Sequence, residues 1–238
     1  MNKQNLQMQQ MQQMQQTQQT KTRTRAIYFL VLCVAVLVCI TKAPSAYAFT
    51  VLTLDNGRTV VRWPGGAMSF EINTNLIPYL TDDIDAVLAG FSAWEQLTCA
   101  QITLSDEGLT QAQGASYTGG FDGVNRVVFV EAQNWRAEDS SALAVTTFDF
   151  TGTGLGEADI SYNGSYRWST TGEGGKYDVQ GVGTHEIGHY FGILHSDEAA
   201  ATMFPSTGAA ELGPRTLAPD DQQAFCFFVP RWRHLHMR

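Results

Sequence analysis

Within one eleven-residue stretch, His185, Glu186, His189, Gly192 and His195 stand at the spacing His-Glu-x-x-His-x-x-Gly-x-x-His. On a helix, residues four apart share a face, so His185 and His189 can direct their ring nitrogens at one metal ion. Glu186 then lies beside the open side of that ion. A helix continued past His189 would carry His195 away from it, so the backbone has to turn, and Gly192 permits the positive φ such a turn needs. His195 can then return as the third ligand. Three protein ligands leave the fourth tetrahedral position to water, which is the arrangement of a catalytic zinc and not of a closed structural one. Zinc lowers the pKa of its water to about 7, and a neighbouring carboxylate can take the water's proton and later deliver it to a leaving amine. Glu186 is the candidate for both transfers. His-Glu-x-x-His alone also arises on ordinary helices as a solvated or hydrogen-bonded pair; Gly192 and His195 in register make coincidence the weaker reading.

The helix carrying this motif is expected to begin at Asp178, whose side chain suits an N-cap. Gly181 and Gly183 weaken it by roughly 0.5–1 kcal/mol each relative to Ala unless close packing against a strand compensates. Short apolar patterns predict strands over residues 59–63, 67–72, 100–104, 126–130, 142–150 and 157–163. An earlier helix is predicted with Thr81 as cap and Asp82, Asp83 and Asp85 favourably placed against the helix dipole. Its apolar stripe is Ile84, Val87, Leu88, Phe91 and Trp94, with Trp94 read as core. A last helix should open at Pro219-Asp220-Asp221 and end at Pro230.

Residues 49–238 show no repeat and no linker and read as one domain. Residues 1–20 form a Gln- and Met-rich tract too poor in branched apolar side chains to fold, either a disordered extension or a stretch upstream of a start at Met8, Met11 or Met14. Residues 21–48 read as a secretory signal: Lys21, Arg23 and Arg25, an apolar run from Ala26 to Ile40, then Ala46-Tyr47-Ala48 with cleavage after Ala48. The run is short for a bilayer span, and an uncleaved anchor is the alternative. Cleavage leaves 10 basic against 23 acidic side chains. Such a balance disfavours nucleic acid and anionic membrane surfaces as partners, and no stable membrane association is expected after cleavage. Cys99 and Cys226 are then the two remaining cysteines and are expected to form a disulfide worth on the order of 4 kcal/mol, two free thiols being the alternative.

Ser196 directly follows the third histidine, Met203 lies eight residues beyond it in Thr202-Met203-Phe204-Pro205, and Leu217-Ala218-Pro219-Asp220-Asp221 precedes the last helix. With the zinc motif, this pattern resembles the metzincins and, among them, the matrixins. The adamalysin-like branch would place Asp after the third histidine, and astacins and serralysins carry Tyr where this chain has Pro205. The resemblance spans roughly residues 63–230 and is strongest over 178–225. It implies an α+β fold with a twisted, mostly parallel sheet of about five strands, two long helices and a small C-terminal subdomain holding a third helix. It implies one catalytic zinc on His185, His189 and His195, Glu186 as base and acid, and Met203 as an apolar floor beneath the ligands. Ala142, Leu143, Ala144, Val145 and Thr146 resemble the edge strand against which an extended substrate is laid. Phe204 and Pro205 would wall the pocket for the side chain just after the scissile bond. The implied function is a secreted, monomeric zinc endopeptidase acting on internal bonds of proteins or peptides. The alternative is a non-catalytic zinc-containing binding or adhesion module on the same fold, against which the intact Glu186 argues.

The chain also departs from the vertebrate matrixin pattern. Outside the motif its histidines are His234 and His236, read as solvated surface, so a second, structural zinc is not expected. A Pro-Arg-Cys-Gly cysteine switch is lacking. Asp55 is considered as a plug on the zinc from a short propeptide, with Asn56-Gly57 as an ordinary turn the stronger reading. Calcium is a further candidate metal, with Asp122, Asn125 and Asp159 as ligands that read equally well as turn or cap residues.

Overall fold

The computed structural model describes residues 48–100, 102–114, 120–136 and 139–228. The segment read as a leader up to Tyr47, the helix stop at Pro230, His234 and His236 lie outside them. In chain order the elements are β1 (Phe49–Val51), β2 (Thr53–Leu54), β3 (Thr59–Val60), β4 (Ala67–Asn73), α1 (Asp83–Glu95), β5 (Thr103–Thr110), β6 (Arg126–Val130), β7 (Ala144–Thr151), β8 (Gly154–Asn163), β9 (Trp168–Ser169), β10 (Tyr177–Asp178), α2 (Val179–Tyr190), β11 (Ile193–Ser196) and α3 (Pro219–Phe228).

Five strands make one sheet in the order β5-β4-β6-β8-β7. β4, β5, β6 and β8 run parallel, and β7 returns antiparallel beside β8, so β7 is an edge. Among the described residues three helices accompany this mostly parallel sheet, the α+β class the resemblance implies. Alternation along β8 sends Ala158, Ile160 and Tyr162 into the main core, where α1 and α2 also bury their apolar faces. Phe70 of β4 stacks on Phe91 of α1 at 3.8 Å between ring centroids. Trp94 is core, as its place in the stripe predicts, and its indole N–H donates to the Thr184 carbonyl of α2 at 2.8 Å. Gly183 faces the Tyr162 hydroxyl of β8 too closely to admit a Cβ, so close packing against a strand does compensate for its low helix propensity.

The boundaries differ from expectation where long-range pairing overrides local pattern. β5 runs over Thr103–Thr110 instead of 100–104, because its ladder with β4 continues through Ser105 and Asp106, which carry no apolar alternation. Of residues 59–63 only Thr59–Val60 is strand, paired with β2 in a hairpin. α1 starts at Asp83, and Thr81 does not cap it. Asp83 itself is buried and accepts the Ile77 N–H at 2.7 Å, which fixes the loop before the helix. β7 starts at Ala144; the preceding Ala142 and Leu143 carbonyls are tied to Asn163 at the end of β8, at 2.8 and 2.9 Å. β1, which the sequence reading did not anticipate, pairs antiparallel with β11. Cys99 and Cys226 form a disulfide that joins the segment after α1 to α3.

Candidate active site

α2 begins where its N-cap predicts. The Asp178 carboxylate accepts the Gly181 N–H at 2.7 Å, and the same carboxylate takes a two-pronged bond from Arg215, at 2.6 and 2.8 Å. Those hydrogen bonds are the leading cause that raises the Arg215 guanidinium further above its ordinary value. The loop ahead of α3 is thereby fastened to the start of the helix that carries the motif.

His185 and His189 lie one turn apart, and each ring is aimed by a backbone carbonyl. His185 Nδ1 meets Thr202 O, and His189 Nδ1 meets Ile193 O, both at 2.7 Å. A carbonyl only accepts, so both Nδ1 atoms carry a proton, and in the neutral ring this leaves the Nε2 lone pair to a metal. After α2 the chain reverses at Gly192, whose φ of 92° is the positive value anticipated. β11 then returns His195 so that its Nε2 stands 3.3 Å from His189 Nε2. The backbone of β11 is held by β1: Thr50 Oγ1 donates to His195 O at 2.7 Å, and Leu52 N–H donates to Gly192 O at 2.8 Å. The three histidines offer ligand atoms within 4.8 Å of one another. Two nitrogens each about 2.0–2.1 Å from one tetrahedral ion would be separated by about 3.3–3.4 Å, the separation of His189 and His195, so the cluster is compatible with zinc. Burial, then the His185 charge, holds the His189 imidazole well below the ordinary histidine range and the His195 imidazole below it. Both favour the neutral, metal-binding form.

Glu186 is 5 % exposed. Burial raises its carboxyl above the usual glutamate value, while His185 and a hydrogen bond from Thr146 pull it back. That bond, Thr146 Oγ1 to Glu186 Oε2 at 2.6 Å, reaches across from β7.

Met203 is fully buried, and its Sδ and Cε lie against Gly188 of α2, where a Cβ would overlap the sulfur. Its turn is held by Asp221, which is 1 % exposed and accepts the N–H groups of Thr202 at 2.7 Å, Met203 at 3.0 Å and Ala218 at 2.8 Å. Asp220 accepts Ser196 Oγ–H at 2.6 Å and the Ala48 N–H at 3.2 Å. The sequence reading took this acidic pair only as part of the helix start; both carboxylates also make specific tertiary bonds.

A cleft of about 750 Å³ opens beside the histidines. Ala142, Leu143, Ala144, Val145, Thr146, Phe204 and Pro205 line it together with His185, Glu186, His189 and His195, so the expected substrate-facing residues are brought together with the histidines. Tyr166, Tyr177 and Pro214 line it too, although no spacing in the sequence marks them. Among the described residues Glu211 is its one carboxylate besides Glu186.

Asp55 sits in the β2–β3 turn, with Thr59 Oγ1 donating to it at 3.4 Å, so the turn reading of this segment accounts for its place and the plug does not. The three calcium candidates all have protein partners. Asp122 pairs with Arg126 at 2.8 Å, Asn125 bridges Ser69 O and the Ala158 N–H, and Asp159 accepts the Arg126 N–H at 2.7 Å. The Arg126 guanidinium, which also meets Glu71 at 3.2 Å, supplies positive charge among these acids.

Known proteins share parts of this sequence. The chain is 36 % identical to matrilysin of Felis catus over 70 residues, which is 29 % of this chain and 26 % of that protein. It is 28 % identical to interstitial collagenase A of Mus musculus over 150 residues, 61 % of this chain and 28 % of that one. The alignment thus covers about a quarter of either relative's length. The matrixin family model matches residues 91–226, more than half of the chain and a span that includes α2, the three histidines and the turn around Met203. The chain belongs to the matrixin family of zinc-dependent metalloendopeptidases.

Proposed function

We propose that this chain is a secreted zinc endopeptidase that hydrolyses internal peptide bonds of extended protein segments. In this reading residues 21–48 are a signal removed after Ala48, residues 49–238 are the catalytic domain, and residues 1–20 are an unfolded extension. The mature protein works as a monomer outside the cell and binds neither nucleic acid nor membrane. The observation that carries the proposal is a buried carboxylate, Glu186, beside three convergent imidazoles at the mouth of a cleft bordered by the edge strand β7.

His185, His189 and His195 would hold one zinc through Nε2. When bound, the metal supplies Lewis acidity toward the scissile carbonyl and lowers the pKa of the attacking water. Glu186 takes the proton from that water as it attacks and hands it to the nitrogen of the departing amine. Its raised proton affinity, produced by burial, suits it to both halves of this relay. The free edge of β7 provides main-chain donors and acceptors for a substrate in extended form, which fixes the scissile bond over the histidines. The side chain after the cleaved bond enters the cleft between Val182, Tyr177 and the Phe204-Pro205 wall, an apolar lining that favours an apolar residue.

The decisive measurement is cleavage of an unfolded protein by the zinc-loaded chain, with and without chelator. Glu186→Ala should retain zinc and lose nearly all activity, by at least 10²-fold on the scale of general acid–base catalysis. A wild type that holds zinc, cleaves nothing, and responds to chelator only by unfolding would instead identify a binding module on the same fold.

A further inference from the structure

We infer that Thr146 is the positioning residue for the Glu186 carboxylate, an inference that rests on the proteolytic reading above. Thr146 lies on β7, the strand that would carry the substrate, and its side chain turns toward α2. Its Oγ1 stands 2.6 Å from Glu186 Oε2 and 3.1 Å from the backbone carbonyl of the same residue. A threonine hydroxyl has one proton, and the shorter, charge-assisted contact takes it. The hydroxyl is therefore spent on the carboxylate end of Glu186 and only lies near its backbone carbonyl. One carboxylate oxygen is fixed by a side chain that is itself β-branched and stiff at χ1, and the other oxygen is left to face the reacting water.

This arrangement addresses a need the helix alone cannot meet. A glutamate side chain rotates about three bonds, and a general base must hold its oxygen within about 3 Å of the proton it removes. Valine at position 146 would fill nearly the same space and suit the strand, but it would offer no donor. Serine would keep the donor. The register shows why Thr146 and not its neighbour does this work: Thr146 pairs with Ile160, a core residue on the helix side of the sheet, whereas Thr147 pairs with Asp159 on the opposite side. Because the clamp sits on the edge strand, docking of substrate along β7 bears directly on the residue that aims the base.

The test uses the full chain loaded with zinc. For Thr146→Val, kcat on a peptide substrate should fall roughly tenfold or more, the scale of a lost hydrogen bond to a charged group, with KM and zinc stoichiometry unchanged. Thr146→Ser should recover most of the loss. A crystal structure of Thr146→Val should show the Glu186 carboxylate rotated or split between rotamers, a readout independent of turnover. Wild-type kcat in Thr146→Val, or a serine variant as impaired as the valine one, overturns the assignment. If the wild type itself cleaves nothing, the proteolytic reading fails, and an unmoved Glu186 in the Thr146→Val crystal would then separately refute the clamp.

Discussion

Removing the Asp221 carboxylate should destabilise the turn around Met203 more than any other single change on α3. The group is buried and receives three backbone N–H bonds, two at Oδ2 from Thr202 and Ala218 and one at Oδ1 from Met203. Asp221→Ala leaves these donors without their acceptor. At about 1–3 kcal/mol for each unsatisfied buried group, and allowing for partial rescue by water and for non-additivity, the expected loss is roughly 3–5 kcal/mol. Asp221→Asn keeps the shape and can keep the two bonds at one oxygen, but it turns an amide donor toward the Met203 N–H; the expected loss at neutral pH is roughly 1–2 kcal/mol. Urea unfolding of the chelated protein with its disulfide intact measures both through the transition midpoint at constant slope. The pH dependence adds a signed check. Burial raises the folded carboxyl above its ordinary 3.8, with the three N–H bonds opposing. A raised folded value adds a proton-linked part to the group's contribution, fully present below 3.8 and lost as pH climbs through the folded value. The advantage of wild type over Asp221→Asn should therefore be largest in acid and shrink toward neutrality. An alanine variant that loses less than about 1 kcal/mol would refute the claim that this carboxylate holds the turn.

Two further outcomes follow from packing and connectivity. Gly188→Ala should cost about 1–3 kcal/mol, because its Cβ would overlap Met203 Sδ and sit 2.9 Å from the Trp94 ring. Combined with Met203→Ala it should cost less than the sum of the single changes, and additive losses would show that the sulfur is not the obstacle. Replacing Cys99 and Cys226 by serine opens a loop of 127 residues. By chain entropy this should lower stability by about 5 kcal/mol, seen as an earlier urea midpoint, and an unchanged midpoint would mean the bridge restrains nothing that the fold does not.

The parts of the fold legible in sequence are those written in local spacing. The zinc motif, the Asp178 cap, the Gly192 reversal, the apolar stripe of α1 and the Pro219 helix start each depend on residues within a turn or two of one another, where side-chain type and period carry the information. The supports of the site are different in kind. Thr146 reaches Glu186 across 40 positions, Arg215 reaches Asp178 across 37, and Thr50 reaches His195 across 145. No periodicity links such pairs, and a threonine or an aspartate in isolation reads as a strand or cap residue. Asp221 shows the difficulty: its position in the first turn of α3 is a sufficient local reason for an acid, and the three N–H groups that it accepts become visible only when Thr202, Met203 and Ala218 are folded around it.

These distant contacts bear on metal affinity as well as on stability. Two of the imidazoles are oriented by backbone carbonyls, His185 by Thr202 O and His189 by Ile193 O, while Thr50 on β1 holds only the backbone of His195. The peptide unit that presents the Thr202 carbonyl to His185 is in turn held at its other end, through the Met203 N–H, by Asp221. Fixing the Nδ1 protons this way presents all the Nε2 lone pairs of α2 before any ion arrives, so little of the binding energy is spent on ordering. It follows that residues which never touch a bound ion would tune how tightly it is held, and Asp221 should rank first among them. Its carboxylate acts on the His185 ring through one peptide unit, a shorter route than any other carboxylate of α3 has to a ligand side chain.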